Sequence, residues 1–264
     1  MRMRPTRTFR RAVAIVLSAA LPLPAAAAAP ACTAASGALA TPLVELYTSE
    51  GCDSCPPADR WMAAQFPAAS AAGKPIALAF HVDYWDRLGW VDRFASPAFT
   101  ARQYEGVRVR KDAFAYTPQV LLQGRDFAGW RRDGARAAID AAARGPARAN
   151  VEVTAAVENG TVRATARAHV ADAALARQAV VAIAYADSGH VSDVKAGENR
   201  GVRLSHDHVV RAFASGRAGV LDASATFARP VEPGAAATVV AFVQNAATGD
   251  VLQAVALPLA DCMP

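Results

Sequence analysis

Lysine is nearly missing from this 264-residue chain: Lys74, Lys111 and Lys195 stand among 28 basic residues, and the rest are arginines. Five of those arginines fall before position 30, which leaves 23 basic residues to set against 23 acidic ones. The basic excess therefore belongs to the N-terminal segment. The remainder has no net charge with which to attract nucleic acid or an anionic membrane. Cysteine is scarce as well, with four in all, too few for disulfides to replace a hydrophobic core. The chain has no G-x-S-x-G, no phosphate-binding loop and no H-E-x-x-H, so hydrolase and nucleotide-binding chemistry find no support in it.

What is present begins with an arginine-rich start, an apolar run over 12–23 and small residues up to position 31. That pattern predicts a secretory signal peptide over 1–29, cut near 28–31. The apolar run is short for a membrane span, and no span is expected after signal removal. Arg10-Arg11 matches a twin-arginine signal poorly, which leaves the export route open. The expected location is periplasmic or secreted, an oxidising setting for the cysteines. The remaining chain of about 235 residues can bury one large core or two ordinary ones.

Residues 42–148 alternate strand and helix patterns. Strands are predicted at 43–48, 76–82, 119–123 and 126–127, and helices at 56–66, from Ser96-Pro97 onward and at 134–144. This is a small α/β layer structure with a mixed sheet. After Pro146 the pattern changes to alternating short strands: a hairpin over 151–169 turning at 158–160, then 180–186, 203–213, 224–229, 238–244 and 251–257. The segment 149–264 therefore reads as an antiparallel sandwich.

The stretch richest in chemistry is Glu45-Leu-Tyr-Thr-Ser-Glu-Gly-Cys52-Asp53-Ser-Cys55-Pro-Pro-Ala-Asp59. A strand runs into a glycine, then two cysteines with two residues between them, then a helix start. A thiolate at a helix N-terminus gains from the helix dipole and from unpaired N–H groups. Cys52, read as the more exposed thiol, is the expected nucleophile, and Cys55 resolves. Asp53 sits between them and opposes thiolate formation, which makes the pair relatively reducing.

Val44-x-x-Tyr47-Thr48-x-x-Gly51-Cys52-x-x-Cys55 resembles the active-site strand and loop of glutaredoxins. Thr117-Pro118 is similar to the cis-proline loop that faces the CxxC across the thioredoxin superfamily. Longer blocks, Thr48 to Asp59, His81-Val-Asp83-Tyr-Trp85-Asp86, Ser96 to Gln103 and Tyr116 to Gln119, resemble an exported bacterial thioredoxin-like family known as domain of unknown function twelve twenty-three. The resemblance implies an α/β thioredoxin-like (glutaredoxin-like core) domain over 30–148, followed by an all-β antiparallel sandwich-like domain over 149–264. It implies a cis bond before Pro118, and a substrate-binding backbone at Thr117. It assigns no activity.

Other residues carry two readings each. Glu45 is a charge in an apolar strand, either buried and able to take a proton or outward with an arginine partner. His81, Asp83 and Trp85 end a strand at the edge where α/β sites sit, and either shape a groove or pack a loop. Cys32 and Cys262 stand near the two ends of the exported chain. A bond between them stabilises by about 5 kcal/mol in the loop-closure model, whereas a lipid-modified Cys32 or free thiols are the alternatives. His190 is read in a turn, and His206 and His208 on one strand face, with packing or solvated roles.

The function expected is thiol–disulfide exchange on a protein or small-molecule thiol, with a separate redox partner and no cofactor. Two alternatives use the same cysteines: copper(I) handling, with His81 as a third ligand, and a non-catalytic binding module with a structural disulfide. No metal site is assigned.

Overall fold

The computed structural model describes residues 31–68, 73–158, 160–228 and 236–262. The predicted leader, Asn159 of the hairpin turn and Arg229 lie outside them. The chain runs β1 (Ala31–Ala35), β2 (Leu43–Thr48), α1 (Pro56–Gln65), β3 (Ile76–His81), α2 (Pro97–Arg110), β4 (Gln119–Leu122), β5 (Arg125–Asp126) and α3 (Ala135–Ala142). Then follow β6 (Asn150–Glu158), β7 (Thr161–His169), the short α4 (Ala173–Ala176), β8 (Ala179–Ser188) and β9 (His190–Asp193). The last elements are β10 (Arg203–His206), β11 (Val209–Ser215), β12 (Asp222–Ala228), β13 (Ala236–Asn245) and β14 (Val251–Pro258).

Local chemistry sets several boundaries. Pro56 and Pro57 open α1, where a missing N–H costs little. Ser96 Oγ accepts from Ala98 N at 3.2 Å and caps α2. Lys111, with φ 60°, ends that helix in the left-handed region. All six residues of β2 and all six of β3 are buried, because both faces of these strands are covered.

The architecture overturns the expected fold class. An α/β thioredoxin-like domain followed by an all-β antiparallel sandwich-like domain requires a sheet for each half. Instead one eight-stranded mixed sheet runs through both halves, in the order β14-β13-β8-β11-β3-β2-β4-β5. The join is β11, which pairs in parallel with β3 at Val209 and Ala79 and antiparallel with β8. Strand periodicity predicts which segments extend, but gives no partner for an edge separated by 130 residues of chain. A four-stranded sheet, β1-β6-β7-β12, packs over the C-terminal part of the large sheet, and β9-β10 form a separate hairpin.

The large sheet curls until its two ends approach each other. Val251 N donates to Gln123 O at 3.1 Å, and Arg125 pairs with Asp250 at 2.7 Å. A Cβ on Gly124, where φ is +80°, would lie 1.9 Å from the carbonyl oxygen of Gly249, so the contact admits only glycine. Inside the curl a single apolar cluster draws on β2, β3, β4, β8, β11, β13 and β14, with Phe99 of α2. The alanines 182, 184, 254 and 256 leave room there for Phe80 and Phe242. Outside the curl, α1 and α3 cover Val44, Leu46, Ala77, Ala79 and Val120.

Three further differences from the sequence have local causes. The strand predicted over 203–213 is two, broken at Asp207-His208, where His208 takes φ 58°. His190 lies in β9 rather than in a turn, and His206 and His208 do not share a strand. β1 and α4 carry too little apolar periodicity to be read, and form through pairing with β6 and an Asp172 cap.

Candidate functional site

The C-terminal end of β2 delivers the loop Ser49–Cys55 onto α1. Cys52 and Cys55 form a disulfide with Cα atoms 5.4 Å apart. Gly51 sits at a close approach: a Cβ there would meet Trp85 Cβ at 3.0 Å, tighter than ordinary van der Waals contact. The helix start offers few free donors. Cys55 N donates to Cys52 O at 3.2 Å, Pro56 and Pro57 have no N–H, and Ala58 N donates to Cys55 O at 2.8 Å. The dipole remains, but the expected cluster of free N–H groups is absent from these positions. Ser54 Oγ lies 3.4 Å from Cys52 Sγ and is the polar side chain closest in sequence to offer a donor.

The Thr117–Pro118 peptide bond is cis. Pro118 and Ser54 border one cleft of about 320 Å³, with Tyr116 and Trp130. Trp85 ties the two loops together, since it packs on Gly51 and its Nε1 donates to Thr117 Oγ1 at 2.8 Å. Fully buried Gln103 holds the approach to the proline, donating to Tyr116 O at 2.8 Å and to Gln119 Oε1 at 3.0 Å.

Behind the disulfide lies a buried polar cluster. His81 Nδ1 is 2.7 Å from Asp92 Oδ2, which also accepts from Glu50 N at 2.9 Å. Glu50 accepts from Trp90 Nε1 at 2.7 Å and lies 3.1 Å from His206 Nε2. Thr48 Oγ1 donates to Asp59 Oδ2 at 3.1 Å. Burial alone would depress the His81 pKa, but the Asp92 carboxylate outweighs it and holds the value above the ordinary one. Burial would likewise raise Asp92 and Glu50. Contact with His81 and two backbone N–H groups holds Asp92 below the usual range, and the Trp90 hydrogen bond with the contacts to His206 and Ser192 does so for Glu50. Burial holds Asp59 above it, against the pull of the two histidines. The site thus joins a reducible bond to a carboxyl group inclined to keep its proton.

Cys52 is not the more exposed thiol. Both cysteines have no exposed surface in the disulfide form. The cover comes from the loop between β9 and β10. Asn199 Nδ2 donates to Glu50 O and to Cys52 O, each at 2.9 Å, and Glu198 Oε2 accepts from Asp53 N at 3.1 Å. Asp53 itself is exposed. Asn199 and Glu198 carry no sequence signal, and His206 is read from sequence only in a packing or solvated role, because each lies about 150 residues from the partner it meets.

The remaining candidates divide. Glu45 is fully buried and paired with Arg102 of α2, on the inner face of the curl and away from the polar cluster. Asp83 accepts from Thr100 Oγ1, tying a strand end to α2. His81 is held by Asp92, so its Nδ1 is already committed. Cys32 and Cys262 form the second disulfide, Cα atoms 5.3 Å apart, next to the core under the four-stranded sheet.

A family model described as a protein of unknown function (DUF1223) matches residues 43–244, spanning both halves of the large sheet. The chain belongs to the DUF1223 family. Among solved structures, this DUF1223 chain is similar to protein AGR_C_4864 from Agrobacterium tumefaciens, at 27% identity and a TM-score of 0.57. That match covers 84% of this chain and 96% of the other. It is also similar to HBP35 of Porphyromonas gingivalis, with a TM-score of 0.60 over 87% of this chain and 78% of that one. At 13% identity the latter likeness concerns the fold alone. No curated protein sequence is a significant match.

Proposed function

We propose that this DUF1223 protein carries out thiol–disulfide exchange through Cys52 and Cys55. The observation that carries the reading is the shared cleft: Ser54, one of the two residues between the cysteines, and the cis-proline Pro118 border one open surface. An extended chain laid in that cleft can reach Cys52 once the 197–199 loop yields. In the reduced form, Cys52 thiolate attacks a substrate disulfide and expels one substrate thiolate. Cys55 then attacks the mixed disulfide, releases the second thiolate and restores the Cys52–Cys55 bond. Asp59, one helical turn beyond Cys55, is suited to exchange the proton that this step sets free. The exposed carboxylate of Asp53 and the scarcity of N–H donors disfavour the thiolate, which suits a reducing pair. The substrate is a disulfide of a protein or small-molecule thiol, and a separate redox partner returns the Cys52–Cys55 pair to the dithiol. Two disulfides suit an exported chain in a periplasmic or extracellular setting.

The burial of Cys52 favours a second reading, a structural disulfide in a binding module. Expressing Cys55→Ser in the exported chain separates them. Exchange predicts covalent adducts on Cys52 that a reductant releases. Absence of adducts, together with a Cys52–Cys55 bond that stays closed below about −300 mV, would leave the structural reading.

A further inference from the structure

The geometry points to a second site, at the mouth of the curled sheet, that binds a small amphipathic carboxylate. It is independent of the cysteine chemistry. A cavity of about 540 Å³ opens between α2 and the inner face of the sheet, within the range of small-molecule sites and in the place where barrel-like sheets hold them. Leu121, Val180, Ala182 and Phe213 give it an apolar wall. Its polar lining includes Glu45, Arg102 and Arg110, with the Tyr47 hydroxyl beside Arg102 and Gln244 and Asn245 further along.

Three atoms of that polar part are buried and have no hydrogen-bond partner within the described residues: Glu45 Oε2, Arg102 Nε and Arg110 Nη2. Glu45 is fully buried and the Arg110 side chain is 8% exposed. A buried polar group left unmatched costs about 1–3 kcal/mol, and more when charged. Two of the three are guanidinium donors, so the missing partner is an acceptor, and charge-assisted bonds favour an anionic one. Glu45 does not oppose this, because Arg102 already engages its other oxygen. A hydroxyl or a water beside the anion supplies the donor that Glu45 Oε2 lacks. The neighbouring charges are paired: Arg110 Nε donates to Asp112 at 2.8 Å, and Glu105, which also lines the cavity, pairs with Arg108. The cavity therefore selects by directed N–H groups and an apolar wall rather than by net charge. A carboxylate with a hydrocarbon body matches both.

The test is calorimetric titration of the full exported chain with sodium decanoate, using decan-1-ol as the uncharged probe. Saturable one-to-one binding of decanoate is expected, with decan-1-ol and the Arg110→Gln variant each weaker by about tenfold or more. Ala101 lines the cavity from the exposed side of α2, so Ala101→Trp should fill it and abolish binding in a folded protein. Absence of decanoate binding, equal affinity for decan-1-ol, or full retention of binding in Arg110→Gln would overturn the assignment. If Arg110→Gln does not fold, Ala101→Trp decides alone, and undiminished decanoate binding there overturns it.

Discussion

The side-chain amide of Asn199 donates to the carbonyl oxygen of Cys52 at 2.9 Å, across 147 residues of chain. The same nitrogen reaches Glu50 O, so one amide pins both ends of the tripeptide Glu50-Gly51-Cys52. The C-terminal half of the protein thereby forms the lid of a disulfide supplied by the N-terminal half.

Asn199→Ala should loosen that lid. Glu50 O loses the Asn199 donor and Cys52 O keeps only Cys55 N, at a cost of about 1–3 kcal/mol. Iodoacetamide alkylation of the reduced protein should become severalfold faster at Cys52. An unchanged rate would mean that the loop opens freely without the amide's consent.

Trp85→Phe keeps the Cβ that stands over Gly51 but removes the bond to Thr117. A loss of about 1 kcal/mol in stability is expected. The rate of mixed-disulfide formation should fall while the redox equilibrium with glutathione stays put, since the cysteines themselves are untouched. Equal effects on rate and potential would contradict a purely positioning role.

Asp53 places an exposed carboxylate next to Cys52 in sequence, and Glu198 brings a second to its N–H. Repulsion between like charges several ångströms apart is about 1 kcal/mol, on the order of one pKa unit. Asp53→Ala should therefore lower the Cys52 pKa and make the disulfide more oxidising by about a few tens of millivolts. The dependence of alkylation rate on pH measures the first, and glutathione equilibration the second. No movement in either would remove Asp53 from any tuning role.

The His81–Asp92 pair makes stability depend on pH with a definite sign. The folded-state pKa of His81 is raised, so its stabilisation is complete below the ordinary value of 6.5 and is lost as pH rises through the folded value. Asp92 is lowered, so its contribution is present above 3.8 and is lost as pH falls through the folded value. The unfolding free-energy difference between the native protein and His81→Gln should shrink as pH climbs above about 6.5. That for Asp92→Asn should shrink in acid. Near pH 5 to 6 either change should cost about 3–5 kcal/mol, as breaking a buried pair does. A pH-independent difference from urea unfolding would show that the pair is not ionised.

Sequence by itself determined the local elements on which the site is built. Continuous apolar runs specify β2 and β3, Ser96-Pro97 starts α2, and Pro56-Pro57 starts α1 directly after the cysteines, because these depend on neighbours within a turn or a strand. The two cysteines three positions apart at that junction have no geometric choice but to lie within bonding reach. Tertiary structure alone decided the rest. The union of both halves in one sheet depends on β11 finding the free edge of β3, a pairing with no sequence signature. The curl depends on a contact between Gly124 and Gly249. The burial of Cys52 and the cluster of Glu50, His81, Asp92 and His206 depend on a hairpin about 150 residues away. Backbone propensity acts over a few residues, whereas strand pairing, burial and charge balance act between whichever segments the completed fold brings together.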